Sequence, residues 1–144
     1  MKNHKPVIVI DTREKKPYAF NSARVGSVKK ALPAGDYSLE GYENQVVIER
    51  KTLTDFISTV VHNKPRFQAE LLKLKNYKFA WIILESSIEE IFQEQYRSAI
   101  KPKALFEMSV AIHIQYIPIL FCGNRPCAIK IVESLLVNCY KILA

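Results

Sequence analysis

The sequence has few of the features that mark specialised protein classes. Its 144 residues contain only four glycines and no internal repeat, which excludes collagen-like and low-complexity chains. The cysteines, Cys122, Cys127 and Cys139, are odd in number and lack Cys-x-x-Cys spacing, so buried reduced thiols are favoured over disulfides or a zinc site. No apolar run approaches the roughly 18 to 20 residues of a membrane span, and the N-terminal apolar stretch is too short for a signal peptide. We therefore expect an intracellular protein with no membrane partner, cytoplasmic in a prokaryote or virus and nuclear in a eukaryote.

Positive charge is concentrated in the first part of the chain. With 49% hydrophobic residues, the chain can form one proper core, and residues 1–144 are predicted to be a single domain. The net charge is +7, and the whole excess lies in residues 1–84, which hold 15 Lys and Arg against 8 Asp and Glu. A basic lobe is typical of nucleic-acid-binding proteins, because neutralising phosphates releases counterions. A general solubility bias would produce the same excess.

The hydrophobic pattern predicts strands and helices in a mixed order. Short apolar runs, read as strands, cover residues 6–11, 25–32, 37–42, 44–50, 79–85 and 117–123. Helical spacing and capping signals predict helices over residues 52–61, 66–77, 86–96, 102–116 and 127–143. Strands come first and then alternate with helices. This order predicts an α/β fold with a mixed central β-sheet flanked by helices on both faces.

A predicted hairpin brings two carboxylates together. If Tyr42 and Glu43 form a two-residue loop, paired positions sum to 85, so Asp36 lies opposite Glu49. Opposed residues share a face with Cβ atoms about 4.5 to 5.5 Å apart, a separation that suits two carboxylates on one divalent cation. Lys51 is two residues beyond Glu49 and shares that face. The register therefore predicts a site made by these three side chains.

Such a site suits phosphodiester hydrolysis. A cation held by oxygens polarises a phosphate, and a neighbouring lysine orients the attacking water or offsets developing charge. Each residue alone has an ordinary alternative: Glu-x-Lys is typical of a solvated strand end, Gly35-Asp36 of a turn and Asp55 of a helix cap. Asp11 ends a buried strand, where sites collect in α/β sheets. The combination favours the functional interpretation.

Three separated motifs resemble one protein family. IDTRE at residues 10–14, GDY at 35–37 and ERKTLTD at 49–55 are similar to the signature of XPF-type nuclease domains, structure-specific DNA endonucleases of the PD-(D/E)XK superfamily. The resemblance implies a restriction-endonuclease-like fold. It also implies a Mg²⁺- or Mn²⁺-dependent endonuclease acting on branched, flap or splayed-arm DNA.

The resemblance also implies a metal site. Asp36 and Glu49 match metal-binding positions, assisted by the backbone carbonyl of Arg50. Lys51 matches the residue that positions the attacking water. Asp11 matches an additional acidic member of the site and is a further candidate metal ligand.

Other motif positions imply supporting roles. Arg13 matches a phosphate contact and Glu14 a supporting carboxylate. Asp55 matches the last motif residue, which we expect to pair with Arg50 or Arg13 while capping its helix. Arg66 matches an arginine expected to touch the DNA backbone.

The sequence departs from the family pattern in several ways. It shows neither the helicase nor the helix-hairpin-helix modules that family enzymes commonly carry, and Glu70 stands where glutamine is usual. The resemblance implies a homodimer or heterodimer formed through C-terminal helices, where Ile129, Val132, Leu136 and Tyr140 form a stripe that suits either core or dimer packing. One alternative is a non-catalytic DNA-binding or dimer-partner module. Another is a restriction-type or junction-type nuclease with the same fold.

Two further groups of residues allow alternative interpretations. Tyr18, Phe20 and Tyr37 lie near the motifs and suit either base stacking or core packing. Four glutamates between residues 85 and 94 predict a solvated helix face, with an acidic surface for a basic partner as the alternative.

Overall fold

A mixed six-stranded sheet forms the centre of the protein, as the hydrophobic pattern predicted. The computed structural model describes residues 5–144. The strands are β1 (Val7–Ile10), β2 (Gly26–Lys29), β3 (Tyr37–Leu39), β4 (Val46–Thr52), β5 (Phe79–Glu85) and β6 (Ile119–Phe121). Their order in the sheet is β2-β1-β3-β4-β5-β6. β3 runs antiparallel to both β1 and β4, whereas the β1–β2, β4–β5 and β5–β6 pairs are parallel.

Helices cover both faces of the sheet. They are α1 (Leu53–His62), α2 (Lys64–Leu74), α3 (Ile88–Phe92), α4 (Pro102–Gln115) and α5 (Arg125–Leu143). Helices α1 to α4 pack on the side of the sheet that we call the front face, and α5 packs on the other side, the back face. None of these helices is long and apolar enough to cross a membrane within the part of the chain that the structure describes.

Alternation along the central strands separates the two faces. In β5, Ile82 and Leu84 join the front core, whereas Ile83 joins the back core. A strand covered on both sides needs apolar residues in both directions, which explains the continuous apolar run of FAWIILE. In β4 the same alternation directs Val47 to the front core and Ile48 to the back core.

The connection between β3 and β4 differs from the two-residue loop that the sequence suggested. The chain leaves the ladder at Leu39 and re-enters it at Val46, so residues 40–45 form the connection. Tyr37 nevertheless pairs with Ile48, and this register still sums to 85. The longer loop has the same centre as the predicted one, because both arms are shortened equally. The opposition of positions 36 and 49 is therefore retained.

The terminal helix α5 belongs to the core. Val132 and Leu136 are fully buried against the back face. Glu133 is also buried and accepts hydrogen bonds from the Asn21 backbone N–H at 2.7 Å and from Arg24 Nη1 at 3.1 Å. These contacts attach the loop after β1 to the helix.

Candidate functional site

The Gly35-Asp36 corner brings β3 close to β4. Gly35 has φ +76°, and a Cβ atom there would lie 2.2 Å from Val47 Cγ2, so only glycine fits. Asp36 donates its backbone N–H to the Ile48 carbonyl at 2.8 Å, and its Oδ2 accepts the Arg50 backbone N–H at 2.8 Å. The carboxylate thus replaces a main-chain acceptor and is fixed against β4.

Glu49 lies opposite Asp36 on the front face, in a buried position. Its residue surface is only 7% exposed. Lys51 Nζ lies 3.7 Å from Glu49 Oε2, and it also donates to Thr59 Oγ1 at 3.4 Å. Among residues 5–144, Lys51 is the ion-pair partner of the Glu49 carboxylate. The predicted convergence of the two carboxylates and the lysine is therefore present in the fold.

Burial leaves these carboxyl groups short of compensating charge. Burial raises the pKa of Asp36 to about 6, with a smaller contribution from the Glu14 carboxylate, against the hydrogen bond from Arg50. Burial also raises the pKa of Glu49 well above its usual value, and the nearby acidic groups of Asp36 and Glu70 raise it further. Lys51 opposes this shift without cancelling it. The pair is an environment that favours an added positive charge.

Asp11 faces the same cleft but is occupied by protein donors. Its Oδ1 accepts the Leu32 backbone N–H at 2.8 Å, and its Oδ2 accepts Arg13 Nε at 2.7 Å and the Arg13 backbone N–H at 3.2 Å. Burial raises its pKa, but these hydrogen bonds outweigh burial and the net shift is downward. In this arrangement Asp11 anchors Arg13, whose side chain is 71% exposed.

Helix α2 forms the opposite wall of an open cleft. The cleft has a volume of about 510 Å³. Its lining includes Arg66, Glu70 and Lys73 from α2, while Phe67, Leu71 and Leu74 from the same helix point into the core. This division follows from helical spacing, because residues three and four apart share a face. The carboxylates thus lie in a cleft with cationic side chains on its walls.

Arg50 points away from the cleft, to the back face. Glu14 binds it through two hydrogen bonds, at 2.9 Å from Nε and 3.0 Å from Nη2. Glu85 accepts from Arg50 Nη1 at 3.3 Å. Burial raises the pKa of Glu14, but the bonds from Arg50 outweigh burial and lower it. The side chains of these adjacent motif residues therefore lie on opposite faces of the sheet, with Arg13 at the cleft on the front face and Glu14 bound to Arg50 on the back face.

The expected partnership of Asp55 is wrong. Arg50 pairs with Glu14 and Glu85, and Arg13 pairs with Asp11, so neither arginine reaches Asp55. Asp55 is exposed in the first turn of α1, where its backbone N–H donates to the Thr52 side chain at 3.1 Å. Thr52 is the N-cap of α1, and Asp55 contributes only its backbone N–H to that cap, so the expected capping by Asp55 is also wrong.

The aromatic residues near the motifs are core residues. Tyr18 and Tyr37 are buried and stacked, with ring centroids 5.1 Å apart. Phe20 is half-buried and meets Tyr37 edge-on at 5.6 Å. Core packing is therefore the correct interpretation, and base stacking by these rings is not supported.

Sequence reasoning missed three residues near the site. Glu85 ends strand β5, as the predicted strand over residues 79–85 implied, but it was grouped with later glutamates on a solvated face and its side chain is only 9% exposed. Its signal was available, because it follows a buried strand as Asp11 does. Lys73 could have been found from its spacing of seven residues after Arg66 on α2. Arg125 lies far along the chain, and no local pattern indicates its contact with Glu85.

Comparisons with known proteins agree with this fold. The ERCC4 domain model matches residues 10–135. The structure of XPF from Aeropyrum pernix superposes with a TM-score of 0.75 and 24% identity, covering 94% of this chain and 66% of that one. The structure of the same protein in complex with DNA gives a TM-score of 0.74 and 24% identity, covering 97% and 68%. These likenesses show a shared fold.

A curated relative extends the comparison by sequence. A putative ATP-dependent RNA helicase from Methanocaldococcus jannaschii is 31% identical over 121 residues. The match covers 83% of this chain but spans only 14% of that protein's length. The resemblance to XPF-type domains that the three motifs predicted is confirmed by the family and fold matches. The chain belongs to the ERCC4 domain family.

Proposed function

We propose that this domain is a divalent-metal-dependent DNA endonuclease that hydrolyses phosphodiester bonds in branched, flap or splayed-arm DNA. The observation that carries the proposal is the opposition of Asp36 and buried Glu49, with Lys51 Nζ 3.7 Å from the Glu49 carboxylate. The two carboxylates line an open cleft rather than a closed core. A purely structural role does not explain two acidic groups that repel each other there.

The donor set fits a hard cation. No three His, Cys, Asp or Glu side chains among residues 5–144 are grouped as a ready-made metal cluster. Mg²⁺ commonly uses one or two carboxylates and fills its other positions with water or carbonyl oxygens. Asp36 and Glu49 would hold Mg²⁺ or Mn²⁺ together with the Arg50 carbonyl. When bound, the ion supplies charge stabilisation to the phosphate and favours ionisation of water.

The residues of the chain have distinct proposed roles. Lys51 orients the attacking water and offsets negative charge on the phosphate, since it lies beside Glu49 and is held by Thr59. Asp11, with both oxygens accepting protein hydrogen bonds, holds Arg13 instead of serving as a ligand. Glu14 supports the site by binding Arg50 on the back face.

DNA is the proposed partner of the cleft. The exposed Arg13 and Arg66 bind phosphates, and Lys73 adds a third cation to the cleft walls. This arrangement agrees with the excess of positive charge in the first 84 residues. The fold relative described in complex with DNA supports the same ligand class for this chain.

We also propose that the chain forms a homodimer or pairs with a like domain through its C-terminal helices. Ile114 on α4 and Ile142 on α5 are 76% and 63% exposed. Ile114→Glu is expected to halve the mass measured by light scattering, whereas Leu72→Glu on α2 serves as a control with a comparably exposed apolar residue. A wild-type protein that is monomeric throughout the micromolar range contradicts the homodimer.

Cleavage of labelled DNA tests the proposed activity. Single-stranded, duplex, splayed-arm, 3′-flap and four-way-junction DNA are incubated with Mg²⁺ or Mn²⁺. We expect Asp36→Ala and Glu49→Ala each to reduce cleavage by at least about 100-fold. Glu107→Gln, on an exposed part of α4, is the control and should retain activity. DNA that is bound but never cut in either metal would instead favour the non-catalytic binding module.

A further inference from the structure

Three donors converge on one oxygen at the end of β5. Glu85 Oε2 accepts from the Tyr18 hydroxyl and from Arg50 Nη1, and Arg125 Nη1 lies 3.9 Å away. The Glu85 side chain is 9% exposed, so these contacts are made away from bulk water. A buried carboxylate with this set of partners is held firmly in one position.

Glu85 completes the restraint on the Arg50 guanidinium. Glu14 binds the edge formed by Nε and Nη2. Glu85 binds the remaining nitrogen, Nη1, at 3.3 Å. A planar guanidinium with carboxylates on two of its sides cannot rotate about its terminal bonds without breaking a charged hydrogen bond.

Arg50 transmits this restraint through the sheet. Its backbone N–H donates to Asp36 Oδ2 at 2.8 Å, and its neighbours Glu49 and Lys51 point to the front face. A displacement of Arg50 would therefore move both carboxylates of the cleft. Glu85 lies on the back face and touches neither of them.

Arg125 connects the terminal helix to the same point. Its Nη2 donates to the Lys16 carbonyl at 2.7 Å and to the Pro17 carbonyl at 3.2 Å. Its guanidinium also lies 4.8 Å from the centre of the Tyr18 ring. These contacts hold the segment after Glu14 against α5. Both carboxylates that bind Arg50, those of Glu14 and Glu85, are therefore connected to the terminal helix through Arg125.

We propose that Glu85 is a positioning residue of the cleft, acting through Arg50 on Asp36 and Glu49. This role rests on the proposed nuclease function and assigns to it a residue outside the three sequence motifs. It predicts a change in turnover without a change in DNA affinity, because Glu85 lies on the opposite face from the cleft.

The kinetic test uses Glu85→Gln, which keeps the shape and an acceptor but removes the charge. We expect kcat to fall about 10- to 100-fold with KM within about twofold of wild type, as for other outer partners of metal sites. Glu107→Gln is the matched control. Combining Glu85→Gln with Arg50→Gln should cost no more than Arg50→Gln alone, since both act through one group. Unchanged kcat, or independent losses that multiply, would overturn the proposal.

A second measurement separates this proposal from the nuclease function. In ¹⁵N-labelled protein, the two protons of Arg50 Nη1 should give two separate signals in wild type. In Glu85→Gln they should give one averaged signal, because the Cζ–Nη1 bond is then free to rotate while Glu14 still holds Nε and Nη2. This readout needs no catalysis, so an inactive wild type would refute the nuclease function while the spectra still decide the Glu85–Arg50 contact. If the variant does not fold, the wild type alone decides. Arg50 signals averaged like those of exposed Arg97 would refute the restraint.

Discussion

Replacing Asp36 with asparagine should stabilise the metal-free protein at pH 8, although it removes a proposed metal ligand. The pKa of Asp36 is raised by burial from 3.8 to about 6. Between these two values the native protein keeps a proton that the unfolded chain releases, so stability falls as the pH rises through this window. Above about pH 6 the native protein bears the whole free-energy cost of ionising the buried Asp36 carboxyl group. Asparagine never ionises, so the variant does not bear this cost.

The magnitude follows from the size of the pKa shift. A shift of about two units corresponds to about 3 kcal/mol at pH 8, at 1.36 kcal/mol per unit. At pH 4.5 the same two pKa values leave a cost of only about 1 kcal/mol. Asparagine can still accept the Arg50 backbone N–H, which Asp36 accepts at 2.8 Å. The stabilisation by Asp36→Asn should therefore grow by about 2 kcal/mol between pH 4.5 and pH 8.

Urea denaturation in the presence of a chelator measures this difference. The free energy of unfolding is compared at the two pH values for wild type, Asp36→Asn and the exposed control Glu107→Gln. Added Mg²⁺ should then stabilise the wild type and not the asparagine variant, because a ligand stabilises only the state that binds it. A variant that is less stable than wild type at pH 8, or a difference that does not change with pH, would refute the reasoning.

Three further changes give measurable outcomes. Gly35→Ala should destabilise the fold by about 2 to 4 kcal/mol, because φ at this position is +76° and the new Cβ would lie 2.2 Å from a Val47 methyl group. Urea denaturation measures the loss, and a value below about 0.5 kcal/mol, the size typical of a surface substitution, would contradict the prediction. Arg66→Ala should weaken binding to all DNA sequences and reduce by about 1 the steepness with which the logarithm of the binding constant falls with the logarithm of the salt concentration. An unchanged slope argues against a phosphate contact. Glu70→Gln removes an acidic group that raises the pKa of Glu49. The acid limb of the pH profile of the cleavage rate should therefore move to lower pH. An acid limb that stays in place shows that Glu70 does not influence the reaction.

The sequence was sufficient for the parts of the fold that depend on local patterns. Alternation and turn signals predicted the strands around Tyr37 and Ile48, and their register placed Asp36 opposite Glu49. The loop length was wrong because the sequence does not show where the ladder ends. The register was unaffected because the observed loop and the predicted loop share one centre.

Contacts between distant segments were the parts that the sequence could not predict. Asp55 was assigned to an arginine because both lie in one motif, yet the strand-to-helix turn points them in different directions. Glu85 was assigned to a solvated face because three other glutamates follow it. The structure instead pairs it with Arg50 and Arg125, and such pairings depend on how strands and helices pack rather than on spacing.

The network of contacts that holds Arg50 on the back face has a consequence for the order of events during synthesis. Its parts come from Glu14, Tyr18, Glu85 and Arg125, which are spread over most of the chain. A ribosome produces the motif strand early and Arg125 late. A nascent chain that ends between residues 55 and 124 therefore contains all three motifs but lacks the contacts that α5 provides. The contacts that hold Arg50 from the back face are therefore complete only once α5 has docked on the sheet.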